Sequence, residues 1–140
     1  MSIRNAKISD SKPIRDMLDQ LGYPLTTSHI QEKLELLLNS QSDAVYVYEE
    51  NNQILGFITL HFSIQLAFEN NFCEIGYFVV DKKIRSKGIG RQLEEKACQI
   101  AVERGCDHIN VFSMAHRSDA HRFYERQGYT HIQRFFEKKL

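Results

Sequence analysis

The chain has 140 residues, 42% hydrophobic and 26% charged, proportions of a globular protein that buries a core without disulfide or metal staples. Eighteen Lys and Arg against eighteen Asp and Glu leave no net charge, which excludes bulk attraction to nucleic acid or an acidic membrane. Three cysteines, Cys73, Cys98 and Cys106, are odd in number and form no Cys-x-x-Cys pair, so neither a disulfide framework nor a structural zinc site is expected.

Residues 3–8 alternate weakly and predict a short first strand. Ser9, Asp10 and Ser11 are N-cap candidates for a helix that tolerates Pro13 in its first turn. Ile14, Met17, Leu18 and Leu21 recur at helical spacing, and Gly22 ends the run. A loop with Tyr23 and Pro24 precedes a second helix that starts at Thr27 or Ser28. Ser28 with Gln31 fits a capping box, and Ile30, Leu34, Leu37 and Leu38 form the buried stripe. From Ala44 the period changes to two. Residues 44–49 and 54–62 read as strands joined by Glu50-Asn-Asn-Gln53, which has hairpin-turn chemistry. Another antiparallel strand covers residues 72–80. Beyond it, Ile89, Leu93, Ala97, Ile100 and Ala101 share one face of a helix that Gly105 terminates, with Glu94, Glu95, Lys96 and Glu103 expected in water. Residues 106–113 predict a fifth strand, residues 118–127 a short helix capped at Gly128, and residues 129–138 a last strand. The order β-α-α-β-β-β-α-β-α-β predicts a single α/β domain over residues 1–140, one mixed central sheet flanked by helices.

The most informative stretch lies between the strand at 72–80 and the long helix: Arg85-Ser-Lys-Gly-Ile-Gly90. Gly88 and Gly90 let the backbone approach a ligand with no Cβ in the way. The N–H groups and positive dipole end of the following helix then point at that ligand. Lys82, Lys83, Arg85, Lys87 and Arg91 stand against Asp81 alone, a local positive site on a neutral body. A phosphate compound fits this chemistry; a solvated surface run is the alternative reading of the charges by themselves. A Walker loop is excluded because no Gly-Lys-Ser/Thr closes the turn. The dinucleotide fingerprint fails because its third glycine would fall at Leu93.

Arg85-Ser-Lys-Gly-Ile-Gly90 resembles the Arg/Gln-x-x-Gly-x-Gly/Ala signature of the GNAT superfamily of acetyl-CoA-dependent N-acetyltransferases. A second stretch, Ala120-His-Arg-Phe-Tyr-Glu-Arg-Gln-Gly-Tyr129, is similar to that family's later signature, and the element order is similar over essentially the whole chain. The resemblance implies acetyl-CoA in a cleft where two parallel strands splay, the one ending at Val80 and the one from Asp107. It implies that backbone groups of Phe78, Val79 and Val80 pair with the pantetheine arm. It implies too that amides of Arg85, Ser86, Lys87, Gly88, Ile89, Gly90 and Arg91 hold the pyrophosphate, with charge added by Lys87 and Arg91. Many members carry an Asn seven residues before the family tyrosine; this chain has Arg117 there. Arg117 reads as a cofactor contact, a partner for an anionic acceptor, or a solvent-facing side chain.

Glu74 is the candidate general base. It lies in an apolar strand among Phe72, Cys73, Ile75 and Tyr77, where a carboxylate is costly unless paired or used. Its place eleven residues before Arg85 is similar to that of the catalytic glutamate in the family's histone acetyltransferases; a solvent-face glutamate is the alternative. Tyr124 is the candidate general acid, being similar to the family tyrosine near the CoA sulfur; a core aromatic of an amphipathic helix is the alternative. A narrower resemblance, to the aminoalkylphosphonate N-acetyltransferases, rests on Leu60-His-Phe62, Val79-Val80 and Arg117-Ser-Asp-Ala-His-Arg-Phe-Tyr124. It departs at Tyr77, where those enzymes tend to carry a second acidic residue. Tyr23, His61, His116 and Arg122 are candidates to line an acceptor pocket, Arg117 or Arg122 pairing with a phosphonate or carboxylate if the acceptor is anionic. His116, His121 and Asp119 lack the spacing of a standard metal site, and no metal is assigned.

The expected activity is transfer of the acetyl group of acetyl-CoA to a primary amine of a small molecule by direct attack. A protein or peptide acceptor and a catalytically idle acyl-CoA-binding module are the rival readings; retention of Glu74 and Tyr124 argues against idleness. One basic loop is narrower than a nucleic-acid face, and no stretch approaches the roughly 18 apolar residues of a membrane span. The N-terminal residues lack the apolar run of a signal peptide. The expected location is cytoplasmic, and a homodimer is compatible with this reading.

Overall fold

A computed structural model of the chain describes residues 2–84, 87–112, 118–132 and 135–140. Five strands form one sheet in the order β1 (Ser2–Asn5), β2 (Asp43–Glu50), β3 (Gln53–Ser63), β4 (Asn71–Val80) and β5 (Cys106–Val111). The first three pairings are antiparallel and β4–β5 is parallel. The β2–β3 hairpin turns at Asn51 and Asn52, whose φ of 52° and 63° are the left-handed pair that a two-residue turn demands and that asparagine tolerates.

Alternation along the strands divides the core in two. Val45, Val47, Phe57 and Val79 face α1 (Ser11–Gln20) and α2 (Thr27–Leu38), which bury Ile14, Met17, Leu18, Ile30 and Leu34 against them. Tyr46, Ile58, Leu60, Cys73 and Ile75 face α3 (Ile89–Glu103) on the other side, where Ile89, Leu93, Ala97 and Ala101 pack on the sheet. Leu93 is fully buried, and burial of a side chain of that size stabilises by about 1.5–3 kcal/mol. The fourth helix, α4 (Ser118–Arg126), follows β5. Gly22, Gly105 and Gly128, the expected helix stops, all have positive φ.

Four details differ from the sequence reading. The first strand ends at Asn5, and residues 8–10 form a 3-10 turn. Asp10 is the cause: its carboxylate accepts from Lys7 N and from both terminal nitrogens of Arg4, so it fastens the end of β1, and although Asp10 stands at the N-cap position of α1 its side chain makes no cap bond there. The cap of α2 is Thr26, whose Oγ1 accepts from His29 N at 3.1 Å, in place of the Ser28–Gln31 box. Glu94 is buried, not in water. Finally, the described residues between 129 and 138 form no strand. Phe135 instead meets Phe112 just past β5, ring centroids 5.0 Å apart.

Candidate functional site

The site is prepared by an irregularity in β4. Ile58 pairs with Phe78 but Leu60 pairs with Ile75, so one residue of β3 lies between two register pairs that span two residues of β4. This bulge falls at Gly76 and Tyr77, where Tyr77 N donates to Thr59 Oγ1 at 2.8 Å. A Cβ on Gly76 would lie 2.8 Å from that same oxygen, so the bulge needs glycine for space. The last β4–β5 register pair is Ile75 with Val111, where β5 ends, while β4 continues to Val80. Past the bulge, β4 therefore pairs with β3 only, among the described residues.

The gap so formed opens into a cleft of about 780 Å³. Its floor is Phe78, Val79 and Val80, its far wall is Phe123 and Tyr124 of α4, and Gln20 and Leu21 close it at the end of α1. Gly88, Ile89, Gly90 and Arg91 form the end where α3 begins. Gly88 is the N-cap of α3 with φ 74°, a left-handed conformation that a Cβ disfavours, and among the described residues no side chain caps the helix. No acidic residue lies in its first turn, so the N-terminal N–H groups and dipole face the cleft without competition from a carboxylate on the helix. Phe78 packs edge-on against Phe123 at 5.7 Å and lies 6.4 Å from the Tyr124 ring, which places Tyr124 over the splayed part of β4.

Of the expected cofactor residues, Phe78, Val79, Val80, Gly88, Ile89, Gly90 and Arg91 come together in this cleft. Lys87 is exposed and is not part of the wall. Arg85, Ser86 and Arg117 lie outside the described residues, as does His116. Lys83 lines a separate depression with Asp10 and Glu49, so the row of cations does not converge on one point. Glu74 is half-buried and lies on the opposite sheet face from Cys73 and Ile75, beyond the bulge, and does not line the cleft. Its register partners are His61 on β3 and Asn110 on β5. Tyr23 meets Tyr77 edge-on, ring centroids 6.1 Å apart, on the same side of the sheet. Arg122 is exposed and ion-paired with Asp119 of its own helix.

Several residues of the site carry no sequence signal. Arg126 supplies a second cation to the cleft wall beside Arg91. Gln20 ties α1 to the exit of β4, accepting from Lys82 N at 3.0 Å and donating to Asp81 at 3.3 Å. Glu94 is 3% exposed and accepts from Gln127 Nε2 and Tyr129 Oη, each at 2.9 Å, and from Cys98 Sγ at 2.8 Å. These bonds tie α3 to the end of α4. Burial, and then the Glu94 carboxylate, push the Tyr129 phenol above its ordinary range and the Cys98 thiol up to about 12. Burial also pushes Cys73 up to about 12, so it is a protonated core thiol rather than a nucleophile.

Among the described residues no group of three His, Cys, Asp or Glu could hold a metal ion, and no helix is long and apolar enough to cross a membrane. Comparison with known proteins agrees with this architecture. Over 90 residues, 64% of this chain, it is 36% identical to an aminoalkylphosphonate N-acetyltransferase of Salmonella typhimurium, and the match spans 58% of that protein's length. Over 140 residues it is 27% identical to an uncharacterised N-acetyltransferase of Chlorobaculum tepidum, covering 99% of this chain and 81% of that one. The solved structure of a GNAT family acetyltransferase of Staphylococcus aureus superposes over the full length of both chains with a TM-score of 0.84 at 23% identity. The model of the acetyltransferase (GNAT) family matches residues 13–129, and with the splayed strands and glycine-opened helix in place, the chain belongs to that family.

Proposed function

We propose that residues 1–140 act as one N-acetyltransferase domain that transfers the acetyl group of acetyl-CoA to a primary amine of a small molecule. The observation that carries this reading is the continuity of the cleft. The backbone of residues 78–80, open on its β5 side among the described residues, leads directly to the glycine-opened N-terminus of α3, with Tyr124 over the same strand. Those features fit acetyl-CoA: an exposed strand edge suits an amide-bearing arm, and a helix N-terminus with Arg91 and Arg126 beside it suits a pyrophosphate. When bound, acetyl-CoA supplies an activated thioester whose carbonyl carbon accepts an amine.

The remaining work is proton transfer. A substrate ammonium with pKa near ~10.4 is neutral about once in ~2,500 at pH 7, a penalty of roughly 4.6 kcal/mol. Glu74 removes that proton: its half-buried carboxylate has no hydrogen-bond or ion-pair partner among the described residues, so it is available to an incoming ammonium. Tyr124 donates to the departing thiolate from the other side of the splayed strand. The acceptor enters on the face that carries Glu74, Tyr23 and Tyr77. The Salmonella relative's name makes aminoalkylphosphonates the first acceptors to test. The row of Asp43, His61 and Glu74, of which His61 is exposed, carries two carboxylates, which favours cationic amines or peptide amines as the second set.

A CoA-release screen across aminophosphonates, polyamines, amino acids, aminoglycosides and peptides tests the activity. With the best acceptor, Glu74→Gln is expected to lower kcat by roughly 10²–10⁴-fold and leave acetyl-CoA affinity unchanged, and Tyr124→Phe to lower kcat with packing preserved. Wild-type turnover by either variant would remove that residue's role; acetyl-CoA binding without turnover on any acceptor would support a binding module instead.

A further inference from the structure

The sheet face that carries Glu74 also carries a second proton-handling pair. Asp43 of β2, His61 of β3, Glu74 of β4 and Asn110 of β5 are successive register partners across four strands. Side chains so aligned share a face, with Cβ atoms about 4.5–5.5 Å apart from one strand to the next. Within the row, Asp43 is held at both oxygens. His61 Nδ1 donates to Oδ1 at 2.8 Å and Ser40 Oγ donates to Oδ2 at 2.6 Å. An ionised carboxylate only accepts, so the proton of the neutral ring sits on Nδ1 and the lone pair on Nε2. The His61 side chain is 50% exposed and Asp43 18%, so the ring is open to solvent and its anchor largely covered. On the other side of Glu74, Asn110 is an amide that takes up no proton.

We propose that the Asp43–His61 pair, standing in register beside Glu74, is the proton exit of this site, a role that rests on Glu74 being the base. Glu74 removes a proton from the acceptor ammonium: an N–H bond breaks and an O–H bond forms. That O–H bond breaks as a solvent water takes the proton and gives one of its own to His61 Nε2, since the two side chains make no direct hydrogen bond in the unliganded site. The imidazolium, facing the Asp43 carboxylate, releases it to water, and Glu74 and His61 return to their starting states. No electron changes hands and no co-reactant is required. The relay returns Glu74 to its proton-accepting form for the next turnover.

The test uses the intact chain with three substitutions, His61→Gln, Asp43→Asn and Glu74→Gln. Three quantities are read: acetyl-CoA Kd, kcat with and without added imidazole, and the ring ¹⁵N shifts of His61 in the unliganded protein. The expected result is a His61→Gln variant with unchanged acetyl-CoA Kd, kcat lowered roughly tenfold or more, and kcat restored by imidazole that leaves the wild type unaffected. The ¹⁵N shifts should show the Nδ1–H tautomer in the wild type, with its population reduced in Asp43→Asn. A ring mainly in the Nε2–H form, a wild-type kcat in His61→Gln, or a loss that imidazole does not relieve overturns the relay. If Glu74→Gln is inactive while His61→Gln is not, only the relay fails; if Glu74→Gln turns over normally, the base assignment fails and the relay with it.

Discussion

Gly76 is where a single absent Cβ shapes the site. The Thr59 hydroxyl stands where that Cβ would be and at the same time accepts the Tyr77 N–H, so neither side of the contact is free to give way. Gly76→Ala is therefore expected to cost about 1–3 kcal/mol, the usual penalty for forcing a methyl into filled space. It should also weaken binding of coenzyme A, because relief of the clash straightens the bulge that parts β4 from β5. Denaturant midpoints and calorimetric titration with coenzyme A check both; an Ala variant with wild-type stability would show that the bulge tolerates a side chain. The turn glycines, by contrast, are legible in the chain itself: Gly88 and Gly90 stand in a motif whose spacing implies an anion, and Gly88 does take the left-handed conformation. Gly76 carries no such signal. Its requirement comes from a hydroxyl 17 residues away in sequence, which no local pattern contains.

Among the elements, α4 depends most on contacts that local patterning cannot see. Glu94 sits next to Leu93 at the margin of the apolar face of α3, and a helical wheel puts it in water. It is buried because Gln127 and Tyr129, 33 and 35 residues later, each bring a donor to it. Tyr129 in turn stacks edge-on with Tyr124 at 5.4 Å and donates its N–H to the Tyr124 carbonyl at 2.9 Å. The clamp thus sets the position of the proposed acid. Glu94→Ala leaves half-buried donors without an acceptor and is expected to cost about 1–3 kcal/mol, measured by denaturant unfolding at neutral pH. The cluster also sets a pH dependence. Tyr129 and Cys98 hold their protons more tightly folded than unfolded. Their contribution is complete below the ordinary thiol value of 9.0, and it is lost as pH rises from there through about 12, because only the unfolded chain then sheds those protons. The fall in stability across that window should be shallower in a Tyr129→Phe, Cys98→Ala double variant. An unchanged slope would mean that these groups do not titrate with unfolding.

For the whole molecule, the order of strands and helices up to β5 is legible because the changes of hydrophobic period, from helical to alternating and back, are bounded by glycine or asparagine. The segment after α4 is not: Phe135 and Phe136 are adjacent, and adjacency cannot say which face is covered. The acceptor side is legible only in fragments, since Asp43, His61, Glu74 and Asn110 come from four strands and meet through register alone. The donor side reads better, because strand, turn and helix N-terminus are consecutive in the chain. It also gives the sharpest global measurement. A ligand that binds only the folded state stabilises it by RT ln(1 + [L]/Kd), about 2.7 kcal/mol at a hundredfold excess over Kd. In a chain of this size that raises Tm by roughly 5–11 °C. Coenzyme A should produce such a shift in the wild type. Gly88→Val places a branched side chain where φ is 74°, which costs roughly 1–2 kcal/mol by itself and directs the Cβ toward the helix end that faces the cleft. Its own Tm should be lower, and addition of coenzyme A at the wild-type excess should raise it by much less. An equal shift in both proteins would place the pyrophosphate somewhere other than the start of α3.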